Sequence, residues 1–306
     1  MYHMSVPTSS SPNSVTFVNL EGGIGNQLFQ YAAGLYISRN IGTDLVLNIS
    51  RVLGNRHFGH CITTFDLPGV SRVDFDYNKP KIDNRLVRSF RYRNRFGNMN
   101  LKVYFEKPQQ LQTAVLQMKG NRGLSGYFQT SRYLDLLANH QVSLNDLSLF
   151  NPSKEYLSLV AESEKTSPII AHVRRGDYLS HQDRFGILSR KYYESAVASL
   201  KSENQEKEIW LFSDDFPRVR QEFRDIDFGS RIRYMEETST MAPAEVMKLM
   251  SLGSAKVIAN STFSWWSAYL NQPGTEVIVP RPWFRQLDSD TSLLLPHWIN
   301  CPAQWD

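Results

Sequence analysis

The chain lacks the features that define several common protein classes. It has two cysteines in 306 residues, Cys61 and Cys301, which form no disulfide framework and match no zinc spacing. No run approaches the roughly 20 apolar residues of a membrane span. Residues 1–14 are rich in Ser and Pro and have no apolar segment typical of a signal peptide. We therefore expect a globular protein with a flexible tail over residues 1–14.

A strong excess of one charge is also missing. Lys and Arg number 34 against 30 acidic residues, and a net charge of +4 is too small to predict a nucleic-acid partner. Residues 79–102 are the exception, with eight basic residues, one Asp and interleaved aromatics. They form either a solvated basic face or a contact with an anionic surface such as phospholipid or a lipid-linked acceptor. RNA is a third option, although no RNA-binding signature accompanies the segment. We expect a cytoplasmic protein, with peripheral contact at the inner membrane as an option.

Two familiar nucleotide-binding loops are missing as well. No GxxxxGK[ST] loop is present, which excludes a P-loop kinase. The run EGGIGNQ (21–27) follows a predicted strand, but Leu28 departs from the dinucleotide fingerprint, so NAD is not expected. Gly22, Gly23 and Gly25 instead permit close backbone approach to a ligand. The helix predicted to begin near Asn26 points its N–H groups toward that place and favours an anion.

The second half alternates regularly between strands and helices. This alternation predicts a parallel sheet covered on both faces. Polar motifs follow the carboxyl ends of its strands, where open α/β sheets bind ligands. We therefore predict an α/β fold of two Rossmann-like domains, 15–150 and 151–306, whose motif-bearing edges face each other across a cleft. The motifs are HVRRGDY (172–178), SDD (213–215) and NSTFSWW (260–266), with EGGIGNQ in the other half.

Arg174 and Arg175 give the clearest chemical indication. Guanidinium groups bind phosphate oxygens bidentately and keep their charge, so the pair indicates a diphosphate ligand. The alternative is a surface pair with Asp177 as its salt-bridge partner. His172, two residues before Arg174, either packs in the core or hydrogen-bonds a base or sugar.

The other motifs leave similar alternatives open. The polar run Asn260–Thr262 suits helix capping as well as phosphate binding. Trp265 and Trp266 are expected to pack rather than to bind sugar. Asp214 and Asp215 resemble a metal-binding pair only loosely, because adjacent carboxylates point in different directions, and Asp214 could instead cap the next helix.

Five segments together resemble a known family. GGIGNQLFQYA, GYFQTSRYL (126–134), HVRRGDY, FSDD (212–215) and NSTFSWW, in this order and spacing, are similar to the α-1,2-fucosyltransferases of glycosyltransferase family 11. The resemblance covers residues 17–284, and the HxRR element also occurs in α-1,6- and protein O-fucosyltransferases. It implies a GT-B-like fold, GDP-β-L-fucose as donor, an inverting mechanism and no metal or other cofactor. Eukaryotic members carry an N-terminal membrane anchor that this sequence lacks, which is typical of a bacterial-type enzyme.

The resemblance also implies a set of site residues. Arg174 would hold the β-phosphate of GDP, and Asn26 and Asp177 would join it as catalytic residues. Without a metal, fixed cations and dipoles must neutralise the leaving diphosphate. Inversion in one step needs a base, for which Asp177 is the first candidate and His181 and Asp183 are alternatives. The donor-binding set is His172, Arg175, Gly23, Gly25, Gln27, Ser213, Asp214, Asp215, Asn260, Ser261, Thr262, Phe263 and Ser264.

The implied reaction moves L-fucose to the 2-hydroxyl of a terminal β-galactoside. The acceptor would be a galactose-terminated oligosaccharide or a lipid-linked glycan of O-antigen or lipopolysaccharide biosynthesis, with its pocket expected in residues 50–130. The alternatives are another fucosyl linkage, α-1,6 or protein O-fucosylation, and a non-catalytic protein that binds nucleotide sugar or glycan.

Overall fold

The structure is a computed structural model. It describes residues 14–53, 62–74, 89–94, 97–106, 116–117, 119–176, 178–179, 182–270, 274–286 and 291–306. The predictions made for residues 1–13, Cys61, Asp177 and His181, and for the side chains of residues 79–102, lie outside this description.

Within the described residues, the first half forms a six-stranded sheet. The strand order is β3-β2-β1-β6-β5-β4, and every neighbouring pair is parallel except β4 with β5. Strands β4 and β5 at this edge are antiparallel, and antiparallel neighbours need only a short connection between them. The elements are β1 (Val15–Asn19), α1 (Ile24–Ile41), β2 (Asp44–Asn48), α2 (Ser50–Leu53), β3 (Val70–Asp74), β4 (Ser89–Asn94), β5 (Gly97–Phe105), β6 (Arg122–Ser125) and α3 (Arg132–Asn139).

The described second half forms another six-stranded sheet, and all of its pairs are parallel. Its order is β12-β11-β10-β7-β8-β9. The edge strand β12 was not predicted, since most of its residues are exposed and no helical alternation announces it. The elements are α4 (Lys154–Thr166), β7 (Ile169–Val173), α5 (Gln182–Phe185), α6 (Arg190–Ala198), β8 (Ile209–Ser213), α7 (Phe216–Glu222), β9 (Ile232–Tyr234), α8 (Pro243–Met250), β10 (Ala255–Val257), α9 (Thr262–Tyr269), β11 (Glu276–Arg281) and β12 (Ile299–Pro302).

The predicted fold class, two Rossmann-like α/β units, is confirmed by these two sheets. The domain boundary at residues 150/151 stays a prediction. No helix in the described part of the chain is long and apolar enough to cross a membrane.

Helix α1 joins the two units. Gly23 is its N-cap, so the helix begins at Ile24, earlier than predicted, and Asn26 lies in its first turn. Phe29 contacts both tryptophans of α9, with ring centroids 4.8 Å from Trp265 and 5.1 Å from Trp266. Both indoles are fully buried, which confirms that they pack. The largest hydrophobic cluster therefore contains residues from both sheets.

The two units approach each other closely at Gly25. A Cβ at this position would lie 2.5–2.7 Å from backbone atoms of Thr262 and Phe263. No side chain fits in that space, so glycine lets the first turns of α1 and α9 touch. The beginnings of both helices are thereby placed where the carboxyl ends of the two sheets meet.

Candidate functional site

Arg174 lies at the carboxyl end of β7 with a fixed direction. Its Nη1 is 3.0 Å from Oδ2 of Asp214, and its guanidinium carbon is 5.4 Å from the ring centroid of Tyr178. The other oxygen of Asp214 accepts the backbone N–H of Arg175 at 2.8 Å. About a quarter of the Arg174 side chain is exposed. The neighbouring groups therefore orient a cation that remains accessible to a ligand.

Arg175 is placed differently from its neighbour. Its side chain is 1% exposed, and its Nε donates to Oε2 of Glu222 at 2.7 Å. Burial acts to raise the pKa of Glu222, but hydrogen bonds from Arg175 and Arg218 lower it below its usual value. Consecutive side chains of an extended segment point to opposite sides, which separates the two arginines. Arg175 thus connects β7 to α7 inside the protein, and its guanidinium is not exposed to a nucleotide-sugar ligand.

Ser213 and Asp215 organise the start of α7. Oδ1 of Asp215 accepts the backbone N–H of Arg218 at 3.2 Å, and the Asp215 N–H donates to Ser213 Oγ at 3.1 Å. The alternative in which Asp214 caps this helix is not observed, because Asp215 is the N-cap and Asp214 pairs with Arg174. Among the described residues, no group of three or more His, Cys, Asp and Glu side chains is arranged to hold a metal ion.

His172 is buried and bonded within the core, the first of the two alternatives given for it. Its Nδ1 is 2.9 Å from Oγ of Ser264, and the same oxygen accepts the Ala259 N–H at 3.0 Å. Burial, followed by the charge of Arg174, lowers the pKa of His172 to about 3. The imidazole is therefore neutral at physiological pH. Its ring lies 5.8 Å from that of Phe263, so both residues tie β7 to α9.

Asn260 secures the loop that carries α5. Its Nδ2 donates to the carbonyls of Phe185 at 2.9 Å and Gly186 at 3.3 Å, while its own carbonyl accepts the Tyr178 hydroxyl at 2.8 Å. Ser261 is the N-cap of α9 but makes no side-chain capping bond. The capping alternative for this motif is therefore not seen at Ser261.

Asn26 connects three segments through one atom. Its Oδ1 accepts the Thr262 hydroxyl and the Gln129 side-chain amide, each at 2.9 Å. A carbonyl oxygen has two lone pairs, so these bonds fill its accepting capacity. The Asn26 Nδ2 lies beside Gly22, where a Cβ would be 2.7 Å away and where φ is +76°. Asn26 can therefore offer a hydrogen-bond donor to a ligand, but it cannot act as a base.

Gln27 and Gly23 shape the glycine loop. Gln27 is fully buried, donates from Nε2 to the Gly22 carbonyl at 2.9 Å and accepts the Ile62 N–H at 3.1 Å. The Gly23 carbonyl accepts the backbone N–H groups of Asn26 and Gln27. Both residues hold the loop in place, and the buried Gln27 side chain is not exposed to a nucleotide-sugar ligand.

Four residues with clear structural roles were missed from the sequence. Gln30 accepts the Glu21 N–H and donates to the Gly126 carbonyl, both at 3.0 Å, and so joins two loops. Glu106, which follows β5, accepts the Tyr127 N–H at 2.7 Å. Gln129 is the partner of Asn26 already described. Tyr127 and Gln129 lie within the motif GYFQTSRYL, which contributed to the family resemblance although no role was assigned to its residues.

The candidate bases are only partly placed. Asp183 lies on α5 and is exposed. Asp177 and His181 lie outside the described residues, so the identity of the base stays a prediction.

The comparisons with known proteins agree with the motifs. Residues 110–301 match the family described as glycosyl transferase family 11. The O-antigen biosynthesis glycosyltransferase WbnK of Escherichia coli is 29% identical, over 92% of this chain and 98% of its own length. An α-1,2-colitosyltransferase of E. coli is 28% identical, over 95% and 98%. The solved structure of the fucosyltransferase NodZ from Bradyrhizobium is 13% identical, covers 85% of this chain and 93% of its own, and has a TM-score of 0.49.

Proposed function

Because the chain belongs to glycosyl transferase family 11, we propose that it transfers L-fucose from GDP-β-L-fucose to the 2-hydroxyl of a terminal β-galactoside, with inversion and without a metal. The observation that carries this proposal is the Arg174 guanidinium, which Asp214 orients at the mouth, our name for the place where the carboxyl edges of the two sheets meet. A fixed, accessible cation at that place suits the diphosphate of a nucleotide sugar.

The diphosphate has further donors within reach. Helix α9 begins at Thr262, and its unpaired N–H groups favour an anion at this end. The Asn26 side chain contributes an amide N–H from the other unit, because its oxygen is already bonded. Arg174, the start of α9 and Asn26 would together surround the leaving group. These donors stabilise the negative charge that develops on GDP as the bond to fucose breaks.

The chemical step is a single displacement. The galactose 2-hydroxyl attacks the anomeric carbon, the bond from that carbon to the GDP oxygen breaks, and the electron pair leaves with GDP. The sugar passes through an oxocarbenium-like state, so stabilisation of the leaving group contributes more than a strong nucleophile. The hydroxyl proton passes to a base, for which Asp177 is the first candidate and His181 and Asp183 remain alternatives.

A second donor sugar follows from one relative. The α-1,2-colitosyltransferase is 28% identical to this chain, and colitose is L-fucose without one ring hydroxyl. Colitose on the same nucleotide is therefore the second candidate. A pocket that hydrogen-bonds the extra hydroxyl of fucose would reject colitose strongly, whereas an apolar pocket would not. Competition between the two GDP sugars for one acceptor distinguishes these donors.

The acceptor setting follows from the other relative. WbnK is named for O-antigen biosynthesis, so we include a lipid-linked or free glycan of this kind among the acceptors. Peripheral contact with an anionic membrane through residues 79–102 stays a prediction.

The test is GDP release from GDP-fucose with lactose as acceptor, in the presence and absence of excess EDTA. We expect lactose-dependent turnover that survives EDTA, and linkage analysis should give an α-1,2 product. Arg174→Ala should lower turnover by about a hundredfold to a thousandfold, because a charge-stabilising donor is lost. Arg231→Ala is the matched control, since that side chain is 84% exposed.

Each alternative predicts a different result. An α-1,6 or protein-linked product would replace the proposed linkage. GDP binding without turnover across a panel of galactosides would indicate a non-catalytic protein. Loss of turnover in EDTA would contradict metal independence.

A further inference from the structure

An aromatic ring lies exposed at the carboxyl edge of the first sheet, outside the set of residues assigned to the donor. Tyr127 lies in the loop after β6, two residues beyond the strand, and is 45% exposed. One edge of its ring packs over the glycine loop, since Cε1 would be 3.2 Å from a Cβ at Gly22. A single exposed ring is ordinary on a protein surface, but this one lies at the ligand-binding edge of a Rossmann-like sheet.

The backbone that carries this ring is fixed from several sides. The Tyr127 N–H donates to Glu106, and a Cβ at Gly126 would collide with the Glu106 side chain. The Gly126 carbonyl accepts a bond from fully buried Gln30. Phe128 is 1% exposed and has a φ of +52°, a conformation that only strong packing maintains in a phenylalanine. The exposed ring is therefore held in position by buried neighbours.

Charged groups of both units influence the ring. Glu21 and Arg51 form an ion pair at 2.6 Å, and both side chains are partly exposed. Burial raises the pKa of Tyr127; the charge of Glu21 adds to this effect, while Arg184 and Arg51 oppose it. Arg184 belongs to α5 in the second unit. Charges of both units therefore act on the ring.

The same loop is connected to the donor side. Gln129, two residues beyond the ring, bonds Asn26, and Asn26 bonds Thr262 at the start of α9. This chain of hydrogen bonds sets the ring beside the place proposed for the diphosphate. A sugar that lies against Tyr127 would therefore be close to the donor.

We propose that Tyr127, together with the Glu21–Arg51 pair, forms a binding subsite for a neutral pyranose, the terminal sugar of the acceptor. The aromatic ring stacks on the apolar C–H face of the sugar. The carboxylate accepts hydrogen bonds from sugar hydroxyls, and the guanidinium donates to their oxygens. A few polar groups beside an aromatic surface are typical of a small-molecule site. Only the identity of this sugar as the fucose acceptor rests on the proposed function.

The experiment compares Tyr127→Ala with Tyr127→Phe. We expect Tyr127→Ala to raise KM for lactose at least about tenfold, which corresponds to about 1.4 kcal/mol of binding, and to leave the GDP affinity measured by calorimetry unchanged. Tyr127→Phe keeps the stacking surface and should stay within about twofold of wild type. Phe150→Ala, a change of another exposed aromatic at 53% exposure, is the matched control and should behave as wild type.

Glu21→Gln isolates the polar half of the subsite. The amide keeps the shape of the side chain and removes its charge, so KM for lactose should rise by less than in Tyr127→Ala. An unchanged lactose KM in Tyr127→Ala would overturn the subsite. A parallel loss of GDP affinity would also overturn it, because the ring would then act on the donor.

A binding measurement separates this proposal from the proposed function. Saturation-transfer NMR of lactose and a panel of neutral oligosaccharides, with GDP present, needs no fucosyl transfer. Binding by wild type that is lost in Tyr127→Ala supports the subsite even if fucose is not the transferred sugar. Wild-type protein that binds none of the neutral oligosaccharides would contradict the subsite.

Discussion

The two sheets present very different groups at the edges that face each other. At the edge of the second sheet, most motif side chains are bonded inside the protein: His172 to Ser264, Arg175 to Glu222, and Asn260 to the loop after α5. At the edge of the first sheet, Tyr127 and the Glu21–Arg51 pair remain exposed. An edge whose side chains are held by internal hydrogen bonds, here called the bonded edge, suits a ligand of fixed shape and charge, such as a nucleoside diphosphate. An open edge suits a sugar bound by stacking and a few hydrogen bonds.

Within the bonded edge, adjacent residues have different roles, one toward the proposed ligand and one in the fold. Arg174 faces the mouth while Arg175 is internal, and Asp214 holds Arg174 while Asp215 caps a helix. An extended chain sends neighbouring side chains to opposite sides, so one member of each pair would face the proposed ligand region while the other stabilises the fold. The predictions that follow test this division and the contrast between the two edges.

Arg175 should show the largest effect on stability. Arg175→Met removes the charged hydrogen bond to Glu222 and the bond to the Arg174 carbonyl inside the protein, so we expect the free energy of unfolding to fall by about 2–3 kcal/mol in urea titrations. Arg218→Ala removes the exposed partner of the same carboxylate and should cost about 0.5 kcal/mol or less. If Arg175→Met unfolded as wild type but no longer bound GDP, Arg175 would be a ligand residue and the division of tasks would be wrong.

Asp214 should affect catalysis more than its neighbour does. Asp214→Asn weakens the ion pair that orients Arg174, and a misplaced guanidinium should lower kcat/KM by about tenfold to a hundredfold. Asp215→Asn is the control, because Asn caps a helix about as well as Asp, and it should stay close to wild type. Equal losses in the two variants, measured by GDP release, would argue against separate roles.

Gly25 tests the contact that brings the edges together. Gly25→Ala forces α1 and α9 apart, so we expect a loss of about 2 kcal/mol in the free energy of unfolding together with reduced turnover. Gly42→Ala has open space around it and a φ of +69°, and it should cost about 1 kcal/mol from backbone strain alone, with turnover retained. Full turnover in Gly25→Ala would show that this close contact is unnecessary for the site.

His172, in the bonded edge, makes the stability of the protein sensitive to acid. Its folded pKa of about 3 lies below the ordinary value of about 6.5, so the unfolded state binds more protons between these values. The stabilisation from the neutral ring is complete above pH 6.5 and falls by at most about 1.4 kcal/mol per pH unit as the pH drops toward 3. Unfolding measured from pH 7 to pH 4 should show a shallower slope in His172→Gln. Identical slopes would mean that other groups determine the acid sensitivity.

The sequence predicted the second unit better than the first, for a physical reason. A buried parallel strand such as β7 (Ile169–Val173) is an apolar run that ends at polar residues, a pattern that made the alternation of the second half predictable. The antiparallel pair β4 and β5 and the edge strand β12 carry no such alternation and were missed. Motif positions were predictable, but the direction of each side chain was not. Arg175, Asp214 and Gln27 have partners far along the chain, and only the fold brings those partners close.

One calorimetric experiment tests the contrast between the edges most directly. GDP is titrated into wild-type protein, Arg174→Ala and Tyr127→Ala under the same conditions. We predict that Arg174→Ala weakens GDP binding by about tenfold to a hundredfold, because a charged donor to phosphate is lost, while Tyr127→Ala binds GDP as wild type does. Unchanged affinity in Arg174→Ala, or an equal loss in both variants, would contradict the assignment of the donor to the second sheet and the acceptor to the first.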